Sequence, residues 1–336
     1  MHKISKKALT IWSRCGIIYI DWYSGNFRSP ESFFFVKGGT WILKEYKNNV
    51  ELVEYLMSKG VKISNKEQAL NKIKLYSYYN IVNTYKDVFK NDDGSYKENV
   101  SFEEIYSLFE FDKNIRNIFL KYLLEIEMIL KTYLSETIAS RYGIRNYLLK
   151  ENFDDSLSEN NIINSMNLIN EEIIKQNGKH DAVTHYMSNY GFVPPFVLTK
   201  ILTFGELSRL YGMLKQSDRQ NISKNFKLSD KVLKQIIINM TMVRNICAHN
   251  DRLFSFHSKF RISFKYIDKD YNSSSVNIYM IMKSIELMLP KDKKRDFNRQ
   301  INSEIKKLNN SLKTIKINEI LNLMGIYRNK KASNEI

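Results

Sequence analysis

Cysteine is almost missing from this chain of 336 residues: Cys15 and Cys247 are the only two. Two cannot build the disulfide framework of a small secreted protein, so a reducing cytoplasm is the expected setting. Proline (four) and glycine (twelve) are also sparse, which disfavours a turn-rich β architecture and favours long helices. Long apolar runs are missing too. The longest near the start, Ile11 to Ile20, is interrupted by Arg14 and is too short to span a bilayer. It follows Lys3, Lys6 and Lys7 as in a signal peptide, yet Asp21, Trp22 and Tyr23 stand where small residues would mark a cleavage site. The five His and two Cys show no metal-site spacing, and neither His-Glu-x-x-His nor a glycine-rich phosphate loop occurs. No membrane span, metal or cofactor is therefore expected.

What is present is a 43% hydrophobic, 26% charged composition, ordinary for a folded soluble chain. Its net charge of +16 is unevenly placed. Residues 291–336 carry twelve Lys or Arg against five Asp or Glu, and residues 1–50 carry eight against three. Basic ends around a nearly neutral middle suit a polyanion, because Lys and Arg displace counterions from phosphates. Lys293, Lys294 and Arg295, at the head of the basic tail, are the candidate phosphate contacts there. The alternative is a composition bias with solvated charges.

Residues 1–39 read as irregular or strand-like, with Phe33-Phe34-Phe35 ahead of Gly38-Gly39. From Asn49 the pattern is helical: Leu52, Val53, Leu56 and Met57 form one face that stops at Gly60, and a second short helix covers Lys66 to Leu75. The strongest periodicity starts at Ser101, where Ser101 and Glu104 fit a capping box. Apolar residues then recur every three or four positions to Gly143, predicting one long helix or two with a kink. Residues 151–180 form a polar connection with a helical middle. Pro194-Pro195 opens a helix predicted to run to Leu214, and Ser229 or Asp230 opens the next. Residues 261–279 suggest a strand pair or loop, with basic helices thereafter. The predicted organisation is an extension (1–48), a helical domain (49–290) and a basic helical tail (291–336) packed on or continuing it.

The candidate site is Met242-Val243-Arg244-Asn245-Ile246-Cys247-Ala248-His249-Asn250-Asp251-Arg252. Arg244 extends the apolar stripe Leu233, Ile237, Met240, where a cation is costly unless a partner or ligand neutralises it. Asn245 and His249 are four apart and so neighbours, placing the amide to orient the imidazole. Arg244 and His249 are five apart, roughly 140° around a regular helix. They converge only if the helix ends between them or a second copy of the site sits opposite. With thirteen Arg and five His, such a pair is expected by chance about 0.2 times, and Arg252/His257 is a second instance. That one falls in an alternating segment rather than at the end of an amphipathic helix. The structural alternative for Arg244/His249 is a buried Arg capping carbonyls beside a packed His. Asp112/Arg116 and Glu127/Lys131, each four apart, fit ordinary helix-surface pairs or supports for an RNA site. His185 fits packing or RNA contact, and Cys247 fits a small buried residue better than a nucleophile.

Several blocks in order resemble the Abi (abortive infection) family, part of the larger HEPN superfamily of helical ribonucleases and RNA-binding modules. They are Phe109-Glu110-Phe111-Asp112-Lys113-Asn114-Ile115-Arg116 with Leu124-Glu125-Ile126-Glu127; His185-Tyr186 with Tyr190 and Pro194-Pro195; Phe204-Gly205-Glu206-Leu207-Ser208-Arg209-Leu210-Tyr211; Arg244-Asn245-Ile246-Cys247-Ala248-His249 with Arg252; and Met324-Gly325. Phe196 departs from the Trp expected after the two prolines, and Met324-Gly325-Ile326-Tyr327 lacks the usual Phe-Pro ending. Residues 1–39 lie outside the resemblance. It implies an all-α, HEPN-type helical bundle and a homodimer whose two sites face one another. The implied activity is metal-independent endoribonuclease action on RNA in phage defence or as a toxin, through the 2′-hydroxyl, with Arg244, His249 and Asn245 catalytic. The alternative is a non-catalytic module of the same fold that binds RNA or a partner.

Overall fold

The computed structural model describes residues 46–263 and 275–326, together with the backbone of four short strands ahead of them. Those strands form two antiparallel pairs, β1 (Leu9–Ser13) with β2 (Gly16–Ile20) and β3 (Ser32–Phe35) with β4 (Trp41–Lys44). The rest is an all-α body. Two short helices, α1 (Asn49–Ser58) and α2 (Lys66–Tyr76), lead to its spine, α3 (Phe102–Tyr142).

The spine is one helix of 41 residues, about 60 Å long. Ser101 caps it, its hydroxyl accepting from the Glu104 N–H at 3.3 Å, and the acidic first turn suits the positive end of the helix dipole. It stops at Gly143, whose φ of 76° is open to glycine at little cost. Only half of the anticipated capping box forms. The Glu104 carboxylate, 2% exposed, instead accepts from the backbone N–H groups of Lys313 and Thr314 at 2.6 and 2.7 Å. A cap residue thus doubles as a tether for the C-terminal end of the bundle.

Further helices pack along the spine: α4 (Glu159–Gln176), α5 (Asp181–Tyr190), α6 (Pro195–Ile201), α7 (Phe204–Met213), α8 (Gln216–Lys224) and α9 (Asp230–Ala248). The helix predicted from Pro194 to Leu214 is two. Thr203 and Glu206 form a reciprocal capping box, Thr203 N–H to Glu206 Oε2 at 2.7 Å and Glu206 N–H to Thr203 Oγ1 at 3.3 Å, which starts α7 afresh. A two-residue pairing of β5 (His257–Ser258) with β6 (Val276–Asn277) closes the return from α9; residues 264–274 of the anticipated strand-or-loop region lie outside the described residues.

The chain ends in α10 (Ile278–Met288), α11 (Lys291–Ser311) and α12 (Ile317–Met324). Helix α11 lies on the spine through Phe297, whose ring meets Phe119 and Tyr122 edge-on at 5.6 and 5.2 Å. Among the described residues no helix is long and apolar enough to cross a membrane.

Candidate functional site

Helix α9 carries the Arg/His motif, and its buried stripe sets which residues face outward. Val232, Leu233, Ile236, Ile237, Met240, Val243 and Cys247 are buried. Each large apolar side chain so buried contributes about 1.5–3 kcal/mol, so the helix cannot rotate to present another face. Polar ties add to this. Asn239 donates to the carbonyls of Gln235 and Phe260, both at 2.9 Å, fastening the returning chain along α9.

Arg244 comes at the end of that stripe and is half-buried. Its Nε is fully enclosed and has no hydrogen-bond partner, and no carboxylate pairs with its guanidinium among the described residues. Elsewhere the fold compensates its buried arginines. Arg116 has Asp112, and the half-buried Arg219 has Asp154 at 2.8 Å and Asp230 at 3.5 Å. A half-buried arginine without an anion is therefore the exception here, and its enclosed Nε–H is a costly donor until a partner arrives.

His249 is exposed and forms the C-cap of α9, its N–H bonded to the Asn245 carbonyl at 2.9 Å. The helix thus persists through Ala248 and does not break between Arg244 and His249. The angular separation of roughly 140° stands within one chain. Asn245 is exposed, and among the described residues its amide makes no bond to the imidazole; the bond joining the pair is the backbone one. Past His249, Asn250 takes a left-handed φ of 61° and turns the chain off the helix.

A buried polar knot receives that chain. The Asp112 carboxylate, 0% exposed, accepts from the Tyr85 hydroxyl at 2.7 Å, Arg116 Nη1 at 2.5 Å, and the backbone N–H groups of Leu253 (3.1 Å) and Phe254 (2.7 Å). Burial pushes the Asp112 carboxyl up, while Arg116, Tyr85 and the two N–H groups pull it down. Arg116 and the two backbone N–H groups can only donate, which favours the ionised carboxylate. Burial first, and then the Asp112 charge, hold the Tyr85 phenol above its ordinary range, so it stays a donor. Asp112 and Arg116 are therefore not a surface pair. They clamp the backbone four and five residues beyond His249. Arg252 adds a third strut, donating to the Thr84 carbonyl at 2.9 Å and lying over the Phe254 ring.

The other sequence candidates lie apart from this knot. Glu127 is buried and paired with Lys131 at 2.9 Å, fifteen residues further along α3, about 22 Å from Asp112. His185 is exposed on α5, its Nδ1 3.1 Å from the Asn189 amide, within a ring cluster that includes Tyr186 and Tyr190. Lys293 and Lys294 have carboxylate neighbours, Glu125 at 3.9 Å and Glu286 at 3.2 Å, whereas Arg295 is exposed and unpaired among the described residues. His257 is exposed on β5, Nδ1 2.9 Å from the Ser255 carbonyl oxygen. Cys247 is buried, its thiol pushed up to about 12 by burial and then by Asp112, so it is no nucleophile at neutral pH. Among the described residues no group of three His, Cys, Asp or Glu is placed to hold a metal ion. Tyr85 and Thr84 carry no sequence signal of their roles; Tyr85 is one of 21 tyrosines and meets Asp112 only through the fold.

The body is helical, and α9 ends with Arg244 unpaired and His249 exposed among the described residues. A family model described as Abi-like protein matches residues 71–255, more than half of the chain and the whole of the knot and motif. The chain belongs to the Abi-like protein family. No functionally curated protein and no solved structure matches it.

Proposed function

We propose that this protein is a metal-independent endoribonuclease of the HEPN type, acting in phage defence by abortive infection or as a toxin. The observation that carries the proposal is the half-buried Arg244, its Nε enclosed and without a hydrogen-bond partner, five residues before an exposed His249. Arg244 is the cation for a scissile phosphate: its planar fork grips two phosphate oxygens and holds the charge that builds in the transition state. His249 takes the proton from the 2′-hydroxyl and then gives it to the leaving 5′-oxygen. The 2′-oxygen bonds to phosphorus, the bond to the 5′-oxygen breaks, and the products carry a 2′,3′-cyclic phosphate and a 5′-hydroxyl.

The roughly 140° between the two side chains favours a homodimer in which Arg244 of one protomer and His249 of its partner face one phosphate. The knot around Asp112 fits this requirement, because it fixes the turn after His249 without occupying the site. Family membership supports the defence role.

The test compares RNA cleavage in EDTA by the native chain and by His249→Ala. Loss of a general acid–base group predicts turnover lower by about 10²–10⁴-fold, with RNA binding retained. Binding of RNA by a well-folded native protein without any cleavage would favour the non-catalytic alternative.

A further inference from the structure

The block Phe204-Gly205-Glu206-Leu207-Ser208-Arg209 and the face of α9 beside it have no part in the proposed chemistry, yet they border a groove. Helices α7 and α9 run antiparallel: a side chain on Gly205 would touch the Thr241 methyl at 3.6 Å, and one on Gly212 would meet Lys234 Cε at 3.3 Å. The two glycines lie seven residues apart, two turns of one helix face, and so let α9 come close along that face. Gly212 in particular leaves room for the Lys234 stem to lie flat against α7.

Between α4, α7 and α9 this leaves a cavity of about 490 Å³. Arg209 and Lys234 both line it, and no carboxylate does. Neither cation has an ion pair or side-chain hydrogen bond among the described residues, although the fold pairs many of its other basic residues. The opposite wall is one face of α4 with Leu157 just ahead of it, where Asn161 and Asn164 stand between Leu157 and Leu168. An amide offers both a donor and an acceptor to a base edge, and the leucines offer apolar surface to its ring.

The groove leads to the motif. Lys234, Ile238, Thr241 and Asn245 recur at spacings of four, three and four, and so share the face of α9 that borders α7, with Arg244 about 80° round the helix from it. Lys234 and Arg244, ten residues apart, are separated by about 15 Å along the axis.

We infer that this groove is a phosphate track for single-stranded RNA: Arg209 and Lys234 hold backbone phosphates on one side of the one seated at Arg244, and the α4 amides face the bases. The inference rests on the proposed ribonuclease site for its substrate class, but its test does not need cleavage. In a His249→Ala background, the binding of a labelled single-stranded oligoribonucleotide is followed by fluorescence anisotropy over a range of salt, with and without Arg209→Ala/Lys234→Ala. Both positions are at the surface or half-buried, and unchanged thermal melting checks the fold. Two lost contacts to a single strand predict a plot of log affinity against log salt shallower by about 1.4, with weaker binding at low salt. In the native background the same pair should raise KM for a long oligoribonucleotide and leave cleavage of a ribodinucleotide unchanged. Equal affinity and slope in the double variant would overturn the track, as would a parent chain that binds no RNA. A shallower slope without cleavage by the native protein would sustain the track and sink the ribonuclease.

Discussion

Asp112 shows how much one side chain organises. It is fully buried, balances the buried Arg116, and accepts the two backbone N–H groups that fix the turn beyond His249. Removing one partner of a buried pair typically costs about 3–5 kcal/mol, because the other charge is left unbalanced. Asp112→Ala should therefore lower the free energy of unfolding by that amount in urea titrations. Asp112→Ala/Arg116→Met, which removes both charges, should recover part of the loss. A double variant no more stable than the single would mean that the carboxylate's hold on Leu253 and Phe254, not its balance with Arg116, dominates. The sequence displays the Asp112/Arg116 spacing but not its burial. An i, i+4 pair looks the same on a wet face and a dry one, and the deciding partners, Tyr85 and the 253–254 backbone, are 27 and more than 140 residues away.

At the scale of elements, the legible features were those written locally. The spine's start at Ser101 and end at Gly143 follow from its periodicity and caps, as does the start of α9 at Ser229. The division between α6 and α7 was equally local, in Thr203 and Glu206, but the apolar pattern runs across it and masks it. What remained hidden was tertiary: Glu104 leaving its cap to hold the α11–α12 loop. Gly325 lies between these cases. It ends α12 with a left-handed φ of 84°, and a Cβ there would fall 2.0 Å from the Asn277 amide. Asn277 itself caps α10, accepting the Met280 N–H at 3.3 Å. Gly325→Ala thus combines backbone strain with a clash at a second helix cap, and should destabilise by about 2–4 kcal/mol. Thermal unfolding of the variant measures it; an unchanged midpoint would mean that the α10 and α12 ends are not locked together as described.

For the whole molecule, the all-helical class was legible from scarce proline and glycine and from periodicity, and Arg244/His249 stood out as a candidate pair by its place at the end of an amphipathic helix. Whether copies pair is not written in one chain, which leaves Arg244 and His249 roughly 140° apart around the helix; the two-copy site is the proposal's answer to that separation. The account predicts a homodimer at micromolar concentration in sedimentation, and mixed dimers of Arg244→Ala with His249→Ala chains that regain one intact site and part of the activity. A strict monomer, or heterodimers as inactive as either parent, would remove the two-copy arrangement.

The central claim is that the RNA's own 2′-hydroxyl is the nucleophile, activated without a metal. The most direct measurement places one 2′-deoxy nucleotide at the cut position of an otherwise all-ribose oligonucleotide, adds the native protein in EDTA, and identifies the ends of any product. The account predicts that the all-ribose strand is cut to a 2′,3′-cyclic phosphate and a 5′-hydroxyl and that the substituted strand stays intact at that position. Cleavage of the substituted strand there, a requirement for Mg²⁺, or a product bearing a 5′-phosphate would contradict it.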